Sequence, residues 1–187
     1  MIRIAIILGS TRPNRIGEAV ARWTYEQSRK RTDAEFELVD LQQVNLPFLD
    51  ESIPPSAGRY ANEHTRAWAQ RIASYDGFVF VTPEYNHGPP AALKNALDYL
   101  YAEWNNKAAG FVSYGSAGGA RAVEHLRGIL AELQVATVRA QVMFHLGSDF
   151  EKYTVLKEPD ATKVKALNTM LDQLVAWGAA LRTVRVH

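Results

Sequence analysis

Apolar runs with the length of buried strands alternate along this chain with segments whose apolar residues recur at helical spacing. The runs fall at residues 4–8, 36–41, 78–81, 107–113 and about 137–143. The first, Ile4-Ala5-Ile6-Ile7-Leu8, contains no polar residue, the pattern of a strand covered on both faces. Between the runs, Ile16, Val20 and Trp23 recur at helical spacing, and Trp68 and Ile72 do so within a helix predicted over residues 61–74. Leu93, Ala96, Leu97 and Leu100 stand at i, i+3, i+4 and i+7. Val123, Leu126, Leu130 and Leu133, and later Val164, Leu167, Leu171 and Leu174, mark two further amphipathic helices. Such alternation requires a parallel sheet joined by right-handed crossovers, with helices on both faces. Five strands in 187 residues predict a doubly wound, three-layer α/β sandwich of strand order 2-1-3-4-5. No repeat or linker interrupts the pattern, so one domain over residues 1–187 is expected.

Composition narrows what such a domain does. The chain is 47% apolar and 22% charged, with a formal net charge of +1 and no cysteine. A near-neutral balance gives no basis for expecting nucleic acid or an anionic membrane surface as partner. Without cysteine there is no thiolate metal site, disulfide or cysteine nucleophile. His64, His87, His125, His145 and His187 follow no metal-ligand spacing, so no metal is expected. The opening apolar run leads into Ser-Thr-Arg-Pro-Asn-Arg rather than a small-residue cleavage site, and reads as a first strand, not a signal peptide. No stretch approaches the roughly 18 apolar residues of a membrane span. A cytoplasmic protein is expected.

In the order 2-1-3-4-5, strands 1 and 3 are neighbours and the winding reverses between them. The loops that follow them therefore meet in one crevice at the carboxyl edge, where open α/β sheets bind ligands. Gly9-Ser10-Thr11-Arg12-Pro13-Asn14-Arg15-Ile16-Gly17 carries two hydroxyls, two guanidiniums and free backbone N–H groups into a helix N-terminus, and reads as a phosphate site. It is neither GxxxxGK[ST] nor GxGxxG. Pro83-Glu84-Tyr85-Asn86-His87-Gly88 is longer and more polar than a strand-to-helix connection needs, yet carries little positive charge. It suits a flat heterocycle, with main-chain groups at the polar edge and Tyr85 against the ring. His87 is not expected to carry chemistry of its own. The loop after strand 4, Tyr114-Gly115-Ser116-Ala117-Gly118-Gly119, brings three glycines that let the backbone pass close to a ligand. Ser116 lacks the pair of glycines of a nucleophile elbow, since Tyr114 stands at the first position.

A phosphate site beside a flat-ring site, at the switch point of a flavodoxin-like sheet, describes FMN. Gly9-Ser10-Thr11-Arg12-Pro13, the segment from Pro83 to Gly88, and Leu93-Lys94-Asn95-Ala96-Leu97-Asp98 together resemble the NADPH-dependent FMN reductase family, which includes quinone, azo-dye and chromate reductases. The similarity covers nearly the whole chain. It implies a flavodoxin-like fold, an FMN cofactor, NADPH or NADH as electron donor and a small-molecule electron acceptor. It implies that Ser10, Arg12 and the loop through Asn14, Arg15, Ile16 and Gly17 hold the phosphate. Pro83, Glu84, Tyr85, Asn86 and His87 would line the ring, with Gly115, Ser116 and Gly118 at its other edge. Many members carry a serine–asparagine pair where this chain has Arg15-Ile16-Gly17, which leaves open how Asn14, Arg15 and the backbone divide the phosphate contacts.

The reaction so implied is a ping-pong transfer: hydride passes from NAD(P)H to the flavin, then electrons leave from the same face to the acceptor, with no side-chain acid or base required. Members commonly pair as homodimers and sometimes form homotetramers. The aromatic segment Tyr99-Leu100-Tyr101-Ala102-Glu103-Trp104 is the surface expected to meet a partner, Trp104 foremost. The rival class is a non-enzymatic electron carrier like the flavodoxins, or a scaffold that uses the fold alone. Carriers tend to be strongly acidic, and a net charge of +1 weighs against that role.

Overall fold

The computed structural model describes residues 1–185; His187 lies outside the described residues. Each apolar run becomes a strand: β1 (Ile2–Leu8), β2 (Ala34–Asp40), β3 (Gly77–Pro83), β4 (Lys107–Gly115) and β5 (Val135–His145). They form one sheet in the order β2-β1-β3-β4-β5, every neighbouring pair parallel. The helices are α1 (Gly17–Ser28), α2 (Leu41–Val44), α3 (Glu63–Ala73), α4 (Ala91–Asp98), α5 (Ala120–Glu132), α6 (Leu146–Asp149) and α7 (Ala161–Arg182). The strand period of two divides the core into two layers. Ile4, Ile6 and Leu8 point towards α1 and α7, whereas Ala5 and Ile7 point towards α3, α4 and α5. Strands β3 and β4 are buried at every position, which is why their sequences read as unbroken apolar runs.

Two boundaries differ from the sequence expectation for identifiable reasons. The second strand ends at Asp40 rather than Leu41, because the Asp40 carboxylate accepts the Gln42 N–H at 2.9 Å and caps the short α2. A two-stranded antiparallel hairpin, β6 (Phe150–Glu151) with β7 (Val155–Leu156), lies between α6 and α7. Two residues per strand carry no readable period, so nothing in the sequence announced it. Among the described residues, no helix is long and apolar enough to cross a membrane.

Of the segment at the end of α4 expected to meet a partner, Tyr99, Leu100 and Trp104 are buried, while Tyr101, Ala102 and Glu103 keep some exposure. Trp104 is 0% exposed and packs inside its own domain, with ring centroids 4.8 Å from Phe78 and 6.2 Å from Trp68. Its indole N–H donates to the Leu97 carbonyl at 3.2 Å. Tyr99 and Leu100 are buried with it. The helical stripe begun by Leu93 continues into the turn after α4, so these aromatics complete the core rather than a surface. Trp177, on α7, is the tryptophan that stands exposed.

Lys107 opens β4 with its side chain buried at the opposite edge of the sheet from the loops described below. Its ammonium donates to the Ile72 and Ala73 carbonyls at the end of α3, at 2.7 and 3.3 Å. Burial, with Arg185 nearby, pushes its pKa down to about 7 from the 10.5 of a solvated lysine. The folded value lies below the unfolded one, so between these limits the unfolded chain binds the extra proton. Stability should therefore rise with pH from about 7 towards 10. Urea denaturation of the wild type and Lys107→Met at pH 7 and pH 9 checks this: the slope should be smaller in the variant.

Candidate active site

The carboxyl edges of β1, β3 and β4 bring three loops around one cleft of about 200 Å3. Arg12, Arg15 and Ile16 line it from the first loop, Pro83, Glu84 and Tyr85 from the second, Tyr114 and Gly115 from the third, and Leu146 from α6. Pockets that enclose a whole small ligand run to roughly 300–1,000 Å3. This cleft is smaller than that, so it borders a ligand rather than enclosing one.

The first loop is shaped by two internal ties. Ser10 is fully buried, its hydroxyl 2.9 Å from the Tyr85 phenol oxygen and within 3.4 Å of the Arg12 N–H. Arg15 turns inward: its guanidinium forms a two-pronged ion pair with Asp40 and donates to the Ser10 carbonyl at 2.5 Å. Arg15 thus holds the loop to the end of β2. Arg12, in contrast, is exposed, and it makes no ion pair among the described residues. Asn14 takes a left-handed backbone (φ 53°), and Ile16 stands at the N-cap of α1 without any side-chain cap. The first N–H groups of that helix are left for an anion to satisfy, with the Arg12 guanidinium in the same loop. Gly17 is required where it stands: a Cβ there would lie 2.1 Å from the Tyr114 phenol oxygen.

The second loop is a two-residue hairpin. The Tyr85 N–H donates to the Gly88 carbonyl at 2.9 Å, and the Gly88 N–H to the Tyr85 carbonyl at 3.0 Å. Asn86 and His87, at φ 49° and 70°, take the left-handed backbone that such turns need at both central positions. Glu84 is not a solvated loop residue. Its side chain is 4% exposed and paired with Arg121 in the first turn of α5, and Arg121 also reaches His87.

The third loop turns sharply through Gly118 and Gly119, both left-handed, and the Ser113 hydroxyl donates to the Gly118 carbonyl at 2.6 Å. Ser116 is exposed and Gly115 buried at the cleft. Sequence reasoning missed Tyr114, Asp40, Leu146 and Arg121. Tyr114 was detectable from strand period, since it follows Val112 by two residues on the layer facing α1. Burial, with the Tyr85 phenol nearby, raises the Tyr114 phenol well above the ordinary tyrosine range, so it stays protonated. Arg121 had no such signal, being 37 positions from Glu84. No group of three or more His, Asp or Glu residues is placed to hold a metal among the described residues.

A parallel sheet of this order, with an uncapped helix N-terminus beside a cleft at its switch point, defines a flavodoxin-like domain. Comparison with known proteins takes this further. The sequence profile of the NADPH-dependent FMN reductases matches residues 2–149. An NAD(P)H-dependent FMN reductase of Schizosaccharomyces pombe is 47% identical over 133 residues, 68% of this chain and 66% of the relative. A quinone reductase of Escherichia coli K12 is 30% identical over 192 aligned positions, covering 99% of this chain and 98% of that one. Among solved structures, the NAD(P)H:acceptor oxidoreductase FerB of Paracoccus denitrificans superposes with a TM-score of 0.73 at 22% identity, over 96% of this chain and 98% of its own, a likeness of fold. The chain belongs to the NADPH-dependent FMN reductase family: it is a flavin-dependent NAD(P)H oxidoreductase with FMN as its cofactor.

Proposed function

We propose that this enzyme works by a ping-pong cycle at the cleft, oxidising NADPH or NADH and then reducing a small acceptor such as a quinone, free flavin, azo compound or metal oxyanion. The observation that carries this reading is the small size of the cleft: it cannot enclose a flavin ring, so a ring laid against it would have one face covered and offer the other to donor and acceptor in turn. When bound, FMN supplies the two-electron chemistry, so the protein need not provide an acid or base.

The residues present fit that cofactor. The exposed Arg12 and the uncapped N–H groups following Asn14 and Ile16 match a dianionic phosphate. Ser10 and Arg15 act one step back, Ser10 through Tyr85 and Arg15 through Asp40, keeping the loop in shape. Gly17 lets α1 start against Tyr114. Pro83, Glu84 and Tyr85 line the cleft and would present backbone and the Tyr85 ring to one edge of the flavin, with Gly115 at the other; Asn86, His87, Ser116 and Gly118 are not among the residues that line it. Main-chain donors and the nearby N-terminus of α4 favour the negative charge that reduction adds.

Steady-state rates measured against NADPH at several fixed benzoquinone concentrations should give parallel double-reciprocal lines. Converging lines would mean that both substrates bind at once, and would overturn the shared-face reading. Running the same assay with NADH and with each acceptor class fixes the nucleotide preference and the acceptor.

A homodimer, or a tetramer built from it, is also proposed. With Trp104 inside the core, the surface that supports it is the apolar groove between α4 and α5, lined by Pro89, Ala91, His125 and Ile129. Light scattering at micromolar concentration should give twice the 20.9 kDa chain mass or more, not the monomer mass. NAD(P)H is an intracellular reductant, which supports a cytoplasmic enzyme.

A further inference from the structure

We propose that Arg121 is the positioning residue of the ring cleft: it locks the loop after β3 to the first turn of α5, and the charge balance of its pair with Glu84 tunes the reduction potential of the bound flavin. This role rests on the flavin ring lying at this cleft, as proposed above.

The Glu84 carboxylate accepts the Arg121 Nε–H at 2.5 Å and a closer Nη2–H, together with the Arg121 and Ala122 main-chain N–H groups at 3.1 and 3.4 Å. Helix α5 starts from Gly119, which has no side chain with which to cap it. Glu84 provides that cap from the loop after β3, so its charge meets both a guanidinium and the positive end of a helix. The carboxylate has little room to leave. The Glu84 N–H is tied to the Tyr114 carbonyl at 3.1 Å, and a side chain on Gly115 would begin 3.2 Å from the Glu84 Cβ. Burial alone would raise the Glu84 pKa, but Arg121 and the α5 N–H groups outweigh it and hold the carboxyl below the ordinary glutamate range. Glu84 therefore stays ionised and is no proton donor.

The same guanidinium reaches the other side of the hairpin. Arg121 Nη1 lies 2.8 Å from His87 Nε2, and since arginine only donates, that nitrogen is the acceptor of the contact. Arg121 thus grips the turn at Glu84 and at His87, with Tyr85 and Asn86 between them. Of these, Tyr85 lines the cleft in which the ring is placed. The far end of the turn is held by the Tyr85 phenol on Ser10.

The pair is neutral as a whole and sits beside the cleft, partly screened from water. Reduction makes the flavin more negative, so breaking the pair from either side leaves a charge that the flavin senses. Arg121→Ala leaves a carboxylate and should lower the potential. Glu84→Gln leaves a guanidinium and should raise it. A purely structural role would move both variants in the same direction.

The test compares wild type, Arg121→Ala, Arg121→Lys and Glu84→Gln, flavin-free and loaded with FMN, at pH 8. In the flavin-free protein, amide hydrogen exchange at Tyr85 and Gly88 should be about tenfold faster in Arg121→Ala than in wild type, since the turn opens more readily. In the loaded protein the two-electron midpoint potential should move in opposite directions in Arg121→Ala and Glu84→Gln. Arg121→Lys, which keeps the charge but not the fork, should hold a near-wild-type potential while exchange still rises. That variant keeps the test decisive if the alanine variant does not fold. Unchanged exchange at Tyr85 and Gly88, or potentials shifted in the same direction, would overturn the role. Failure of the wild type to take up FMN would overturn the site reading and this role with it. Normal uptake with unmoved potentials would overturn this role alone.

Discussion

Replacing Arg12 with alanine should weaken FMN binding by about 10- to 100-fold. A hydrogen bond to a charged group contributes roughly 1.5–3 kcal/mol, and about 1.4 kcal/mol is tenfold in affinity. Arg12 is the guanidinium of the first loop that no carboxylate claims among the described residues, whereas Arg15 is committed to Asp40. The effect should fall on cofactor affinity and leave turnover at saturating FMN within about twofold, because a contact to the phosphate is made equally before and during the chemistry. Fluorescence titration of FMN, paired with rates at saturating FMN, separates the two. Unchanged affinity in Arg12→Ala would remove the phosphate site from this loop. Arg15→Ala should behave differently, lowering thermal stability as well, since it leaves Asp40 partly buried without its partner.

Gly17→Ala should cost about 1–3 kcal/mol of stability, as overpacking does in a tight interior, and should weaken FMN binding together with it. Helix propensity alone argues the opposite, because alanine is favoured over glycine inside a helix by about 1 kcal/mol. The deciding fact is steric. The added methyl would sit 2.1 Å from the Tyr114 oxygen, 2.9 Å from its Cζ and 3.2 Å from Leu8 Cδ1. Tyr114 is a buried strand residue, and its ring must shift towards the cleft before the methyl fits. Tyr114→Phe removes the nearest atom and should recover part of the loss in the double variant, so the two changes couple. Denaturant melts of both single variants and the double variant read this out. Additive losses would show that Tyr114 is not what Gly17 makes room for.

Much of the molecule was legible in its residues, for physical reasons. Strands buried on both faces write themselves as unbroken apolar runs, and a doubly wound sheet then fixes which loops meet. That is why Ser10, Arg12, Tyr85 and Gly115 could be gathered to one edge before any coordinates. What failed to show depends on pairings distant in sequence. Glu84 and His87 look like free polar residues of a loop until Arg121 arrives from α5. Arg15 looks like a free guanidinium of the first loop until Asp40 pairs with it. Trp104 illustrates the reverse error: an aromatic just past a helix was read as a surface, though the helical stripe simply runs on into the core. A charged or aromatic side chain announces its chemistry in the sequence, but its partner is set by the fold.

The most direct test of an FMN cleft serving NAD(P)H is anaerobic mixing of the FMN-loaded protein with NADPH, following the visible absorbance of the oxidised flavin. The bound flavin should bleach at least as fast as steady-state turnover and recover when a quinone is added after the nucleotide is spent. Bound flavin that NADPH leaves oxidised would contradict the assignment and leave a carrier in its place.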